Sequence, residues 1–458
     1  MRRRPVGDRT EGSIVTEPHA PTDNAAVAAA DTAHVFHSWS AQGSLHPLAL
    51  AGGHGSEVWD FEGHRYLDFS SQLINMNIGH THPKVVAAIQ EQAGILPMVA
   101  PAQANATRAA AAERILERAG ESYRKVFFTN GGADANENAI RLARLVTGRD
   151  KVLSAYRSYH GNTGAAIVAT GDWRRVANEY SRGHVHFWGP FPYRSEFWST
   201  SPEEECARAL HHLERTIQGE GAGSIAAIIL ETVPGTAGII PPPAGYLAGV
   251  RALCDRYGIL WIADEVMAGF GRTGDWFAWQ NPTINAEAVR PDLVTFAKGV
   301  NSGYVPVGGV VIPDWVAAEF DERVLPGGLT YSGHPLAAAS IVASIDAMAE
   351  EGIVAHAREI GETVLGPGLR ALEARHPIVG EVRGLGVFWA LDLVTDRETR
   401  APIPASLAAE LRAALLERGL LPIVQDNRLH VVPPCVVTED EARRGLAIVD
   451  AALAAVAG

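Results

Sequence analysis

Residues 293–299 read Leu293-Val294-Thr295-Phe296-Ala297-Lys298-Gly299, a short apolar run that ends in a lysine. Two earlier segments have the same form, Ile225-Ala226-Ala227-Ile228-Ile229-Leu230-Glu231 and Ile259-Leu260-Trp261-Ile262-Ala263-Asp264, and each closes on a carboxylate. Apolar runs of this length predict strands buried on both faces of a sheet. Further runs at Lys125–Thr129, Lys151–Tyr156 and Val307–Ile312 alternate with helical patterns, so the chain from about Pro83 to Pro335 predicts an α/β fold on a largely parallel sheet. Open sheets of this kind bind ligands beyond the carboxyl ends of their strands, which would bring Glu231, Asp264 and Lys298 together. Singly, each is more often a solvated loop residue; three in one sheet make that reading less apt.

Outward from this core, Phe127-Phe128-Thr129-Asn130-Gly131-Gly132-Ala133-Asp134-Ala135-Asn136-Glu137 predicts a strand, a small-residue turn and a helix running to about Val146. Gly131, Gly132 and Ala133 let an anion approach the first N–H groups of that helix. No lysine follows at the spacing of a nucleotide-binding P-loop, and a plain strand-to-helix turn fits the segment equally well by itself. Gly269-Phe270-Gly271-Arg272-Thr273-Gly274 matches GxGxxG, but Asp275-Trp276-Phe277-Ala278-Trp279 follows it without a helical stripe. The context favours a structural glycine loop over a dinucleotide site.

At 458 residues the chain is long enough for two domains. Residues 1–31 read as a mobile N-terminal arm, 32–82 as the first part of a smaller α+β domain, 83–335 as the large domain, and 336–458 as the rest of the smaller one. Gly55–Ser70 alternates about Glu62-Gly63-His64 as a hairpin does, and His186–Glu205 reads as a long excursion from the sheet. A helix over Ser406–Arg418 should end at Gly419, and Thr438 with Glu441 has capping-box spacing. A formal charge of −13 gives no basis for a nucleic-acid partner, and no apolar run suggests a membrane span. Cys206, Cys254 and Cys435 are far apart and odd in number, which predicts neither a disulfide framework nor a metal site and suits the cytoplasm.

Taken together and in order, these segments resemble the class III (ω-) aminotransferases of the pyridoxal-5′-phosphate (PLP) fold-type I superfamily. The resemblance runs from His37 to the C-terminus. Asn130–Asn136 is similar to the family's phosphate loop, Tyr159-His160-Gly161 to its ring-stacking tripeptide, and Asp264-Glu265-Val266 with GFGRTG to its pyridine-binding signature. Thr295-Phe296-Ala297-Lys298-Gly299 is similar to its lysine motif, and Thr330-Tyr331-Ser332-Gly333-His334-Pro335 to its partner-subunit phosphate clamp. The resemblance implies that Lys298 forms the Schiff base, that Asp264 keeps the pyridine nitrogen protonated, and that Tyr159 and Val266 cover the two ring faces. It places His160 beside the ring and Glu231 near the 3-hydroxyl. Gly131, Gly132 and Ala133 from one chain and Thr330 from another would hold the phosphate, so a homodimer with shared sites, or a tetramer of two such dimers, is expected. Ala133 stands where the family commonly has serine, which shifts phosphate binding onto backbone N–H groups and Thr330.

The reaction implied is ping-pong transfer of an amino group from an amine or ω-amino acid to a 2-oxo acid. Members that use glutamate or 2-oxoglutarate commonly carry a gating glutamate where this chain has Thr236, which favours pyruvate as acceptor. The carboxylate-pairing arginine of pyruvate-using relatives would fall near Ile423 or Val424; the nearest here is Arg428, which is a substrate-carboxylate ligand or a solvated turn residue. Trp39, Leu73, Ile74, Met98 and Leu329 match substrate-lining segments. Ile74 and Met98, where some relatives have tryptophan and phenylalanine, leave room for bulky arylalkyl amines or long ω-amino acids. Two other readings stay open: an aminomutase or decarboxylase on the same fold, and a non-catalytic regulatory protein that retains it. An NAD-dependent dehydrogenase, suggested only by GFGRTG, comes last.

Overall fold

The computed structural model describes residues 23–179 and 182–457, in two compact units: residues up to 52 with 59–65, and 53–58 with 66–458. In the first unit, helix Asn24–His34 begins at Asp23, whose side chain accepts from Ala26 N at 2.8 Å. Asn24 ties that helix to the turn at Asp60–His64, donating to Asp60 Oδ2 at 2.9 Å and accepting from Phe61 N at 2.9 Å. Residues 24–31 are therefore helical where an arm was expected; the remainder of that arm lies outside the described residues. The strands Glu57–Asp60 and Arg65–Asp68 stand where the hairpin was read.

The second unit is built on a seven-stranded sheet in the order Tyr123–Thr129, Gly308–Pro313, Leu293–Phe296, Leu260–Asp264, Ile225–Glu231, Lys151–Ala155, His184–Phe187. Gly308–Pro313 runs antiparallel to both its neighbours, and the other pairings are parallel. Successive side chains leave opposite faces of a strand, so both faces here need cover. Ile229, Ile262, Leu293 and Val310 pack with Ala135, Ala139, Ile140 and Ala143 of helix Gly132–Thr147. On the other face Ile228, Trp261 and Ala263 pack with Leu213 and Ile217 of helix Pro202–Glu220 and with Leu247 and Val250 of helix Tyr246–Tyr257.

One strand of this sheet also departs from expectation. His184–Phe187 is the edge strand of this sheet, within a stretch read partly as an excursion, because an edge strand covered on one side needs no apolar run. The excursion is correspondingly shorter: helix Pro202–Glu220 starts at Ser201, whose hydroxyl accepts from Glu204 N, and takes Glu203, Glu204 and Glu205 into its first turn.

A separate antiparallel sheet has the order Val379–Leu385, Phe388–Asp396, Arg428–Val431, Ile423–Gln425, with Ala401–Pro402 paired to Phe388–Asp396. Helix Ala405–Glu417 is followed by Gly419 at φ 79°, and the expected capping box forms: Thr438 N donates to Glu441 at 2.8 Å and Glu441 N to Thr438 Oγ1 at 3.2 Å.

Candidate active site

The sheet register sets Glu231 opposite Asp264 and Asp264 opposite Thr295, three residues before Lys298. The strand-end groups thus converge as the apolar runs implied. Asp264 is 3% exposed and accepts from Asn136 Nδ2 at 2.7 Å, His160 Nδ1 at 2.7 Å and Val266 N at 3.0 Å. Asn136 is itself held: its Oδ1 accepts from Thr295 Oγ1 at 2.7 Å and its Nδ2 also donates to His160 O at 2.8 Å. Such charge-assisted bonds contribute about 1.5–3 kcal/mol each and fix the carboxylate in one orientation. Asn136 and Thr295, which the sequence reading placed only within the phosphate-loop and lysine motifs, orient Asp264. The available signal was a polar side chain in the otherwise alanine-rich buried stripe of its helix.

Lys298 sits at φ 42°, a left-handed conformation that strains a residue with a Cβ and is found at functional sites. The residue as a whole retains some exposure, but its ammonium is surrounded by protein, and that burial lowers its pKa to about 8 against the opposing pull of Glu231 and Asp264. A neutral amine is then accessible near neutral pH. Glu231 is buried and accepts from Tyr159 N at 2.9 Å and Gly235 N at 2.8 Å; burial first, and the charge of Asp264 second, push its pKa up. Glu265 is a bracket for the same loop. It accepts from Thr232 Oγ1 at 2.6 Å, Ala278 N at 2.8 Å and Trp279 N at 3.0 Å, and burial pushes its carboxyl up to about 7.

The phosphate-loop residues meet the same centre. Helix Gly132–Thr147 starts without a side-chain cap, which leaves its first N–H groups for an anion. A Cβ on Gly132 would lie 2.7 Å from Val266 Cγ1, and one on Gly161 would lie 2.5 Å from Ala133 Cβ, so the loop, Val266 and the Tyr159–Gly161 tripeptide pack directly together. Buried carboxylate, low-pKa lysine and uncapped helix end are the donor set that PLP requires at its ring nitrogen, aldehyde and phosphate, and the residues fit that group. GFGRTG proves structural: Arg272 is fully buried and donates to Asn77 Oδ1 at 2.6 Å, Ser71 Oγ at 3.2 Å, Val387 O at 3.3 Å and Pro433 O.

A cavity of ≈ 310 Å³ is lined by Arg157, Ser158, Arg194, Thr236, Asp392 and Arg428, among others. Arg428, expected as either a carboxylate ligand or a solvated turn residue, thus lines the same cavity as Thr236 and as Ser158, the residue before Tyr159. Register pairs Arg428 with Asp392, which also binds Arg194 and Asn427. Arg428 donates to Asp426 at 2.6 Å, while its buried Nε has no hydrogen-bond partner among the described residues. Phe191 and Arg194 of the loop after the edge strand line this cavity.

The remaining expected residues do not line this cavity. Ile74 is buried in the apolar cluster that contains Val432 and Phe388, Leu73 and Met98 are exposed, and Leu329 and Thr330 lie in a turn where Ser332 N donates to Leu329 O. Thr330 is exposed and Leu329 half-buried. Trp39 belongs to the first unit, at φ 56°.

The family model for class-III aminotransferases matches residues 39–453. The chain is 43% identical to a crystal structure of taurine:2-oxoglutarate aminotransferase from Bifidobacterium kashiwanohense in complex with PLP and glutamate, with a TM-score of 0.90 and coverage of 95% of this chain and 98% of that one. It is 36% identical to an (S)-enantioselective omega-transaminase from Thermomicrobium roseum (TM-score 0.89, 95% and 99% covered). It is 35% identical over 418 residues to the 5-aminovalerate aminotransferase DavT of Pseudomonas aeruginosa, covering 89% of this chain and 93% of the relative. With buried aspartate, lysine and phosphate-loop helix in one site and this likeness along nearly its whole length, the chain belongs to the class III aminotransferases and is a PLP-dependent enzyme of fold type I.

Proposed function

We propose that the enzyme moves an amino group from an amine or ω-amino acid to pyruvate, in ping-pong fashion, in the cytoplasm and as a homodimer. The presence of Arg428 in a cavity that also holds Ser158 and Thr236 carries the reading that a substrate acid group is recognised there. Bound at this site, PLP supplies an electron sink. Asp264 would hold its ring nitrogen, Tyr159 and Val266 its faces with His160 alongside, Glu231 its 3-hydroxyl side, and Gly131, Gly132 and Ala133 with Thr330 of the partner subunit its phosphate. Lys298 Nζ would anchor the cofactor and, as a free amine, would take the proton from the substrate carbon and deliver it to the cofactor C4′. Asn136 and Thr295 keep Asp264 from turning while that charge moves. Arg428 would pair with the acid group of donor and acceptor in turn, and Thr236 leaves it without a carboxylate gate from that position. The seven-stranded sheet within residues 83–335 and the separate antiparallel sheet within 336–458 support the division into a large domain and a smaller one.

A second acceptor, 2-oxoglutarate, is favoured by one observation: the Bifidobacterium relative, 43% identical, is named for that acid. An amine-donor panel run against both acceptors, on wild type and Arg428→Ala, separates the two. Faster turnover with 2-oxoglutarate overturns the pyruvate assignment. The same panel tests the room expected from Leu73, Ile74, Met98 and Leu329: activity confined to small α-amino acids ends that reading, and release of carbon dioxide from the donor would make the enzyme a decarboxylase.

A further inference from the structure

Arg174 plays no part in the reading above, yet its guanidinium lies 3.9 Å from the centroid of the Tyr159 ring. The approach is built in stages. Gly171 sits where a Cβ would come 2.2 Å from Ala155 O, so only glycine lets residues 171–175 run against the end of strand Lys151–Ala155. Gly171 N donates to Ser158 O at 3.0 Å and to Ser158 Oγ at 3.2 Å, which fastens the segment to the residue before Tyr159. Asp172 then grips Arg174: it accepts from the backbone N at 2.9 Å, from Nε at 3.0 Å with each oxygen, and from Nη2. Arg175 locks the turn by donating to Gly171 O at 3.0 Å and Asp172 O at 2.9 Å. The Arg174 side chain is only 15% exposed, and with Nε and Nη2 committed to Asp172 its guanidinium is kept over the ring.

We propose that Arg174, clamped by Asp172, is a positioning residue that covers one face of Tyr159 and fixes the plane of the other face for the cofactor. The inference rests on the stacking role assigned to Tyr159. It gives the arginines of this region different roles, with Arg428 meeting substrate and Arg174 acting through Tyr159. The positive charge also reaches Lys298, where it joins burial in favouring the neutral amine.

The test is PLP affinity of the cofactor-free enzyme, followed by protein fluorescence, together with the visible circular dichroism of the bound cofactor, for Arg174→Met, Arg174→Lys and Asp172→Asn. Arg174→Met should weaken PLP binding about tenfold and diminish the dichroism, with Arg174→Lys recovering part of both because it keeps a cation over the ring. Asp172→Asn, which leaves the arginine in place but loosened, should change both in the same direction by about threefold. On substrates, kcat should fall equally for acid-bearing and acid-free donors with KM unchanged. A rise in KM confined to acid-bearing donors, with PLP affinity at the wild-type value, overturns the proposal and makes Arg174 a substrate ligand; unchanged affinity, dichroism and kinetics overturn it as well. PLP affinity and dichroism are read without a substrate, so a wrong donor or acceptor assignment leaves this test intact.

Discussion

Asp264 and Asp426 each stand beside the group that a reaction partner would engage, but they are held in opposite ways. Asp264 is 3% exposed and receives three donors, each from a different segment of chain. Asp426 is 70% exposed, occupies a turn at φ 53°, and faces Arg428 through one hydrogen bond. The cofactor side is therefore preorganised, with its polar groups oriented before any ligand arrives, whereas the arginine-lined side has a solvent-screened ion pair that an incoming acid group can replace at small cost. The proposed reaction, in which two substrates would be accepted in turn at one place, calls for both properties.

Removing Lys298 attacks the rigid side most directly: Lys298→Ala should lower turnover by about 10⁴-fold, read in steady-state kinetics, because the general base and the cofactor anchor are lost together. If that variant kept a tenth of the wild-type rate, the lysine would not be the proton carrier. Asp264→Asn should cost about 100-fold in kcat with little change in KM, as the ring nitrogen loses its carboxylate partner while the bonds from Asn136 and His160 keep an acceptor. The lowered pKa of Lys298 gives a third check on the same side. Capture of PLP by the cofactor-free enzyme should rise about tenfold per pH unit and level off near pH 8, since the amine is protonated and unreactive below its folded pKa and neutral above it. A plateau only above pH 10 would mean that burial does not reach the ammonium. The smallest effect belongs to the exchangeable side: Arg428→Ala should raise KM about tenfold for acid-bearing donors and leave arylalkyl amines nearly unchanged. Equal losses on both donor types would erase the distinction between the two sides.

The unequal legibility of these two sides has a physical cause. Strand ends are written locally, so Ile225–Glu231 and Leu260–Asp264 could be read from apolar runs closing on a carboxylate, and the helix after Gly131 from its small-residue turn. His184–Phe187 escaped because an edge strand carries polar side chains. The arginine cavity escaped because its walls come from residues 157, 194, 236, 392 and 428, which share no local pattern. Arg428 lies five residues from the position that the family resemblance suggested, yet it reaches this cavity, since the register that sets it opposite Asp392 decides where its side chain goes.

The sequence by itself determined that the central strands Ile225–Glu231, Leu260–Asp264 and Leu293–Phe296 form, which ionisable groups follow them, where the capping box at Thr438 closes, and that GFGRTG is no dinucleotide loop, all consequences of short-range periodicity and turn chemistry. Only the tertiary structure decided that Asp264 is oriented by Asn136 and His160, that Lys298 titrates near 8, that Arg174 covers Tyr159, and that Arg428 shares a cavity with Thr236. Those outcomes depend on desolvation and on charges brought together from distant parts of the chain, and neither quantity exists until the chain is packed.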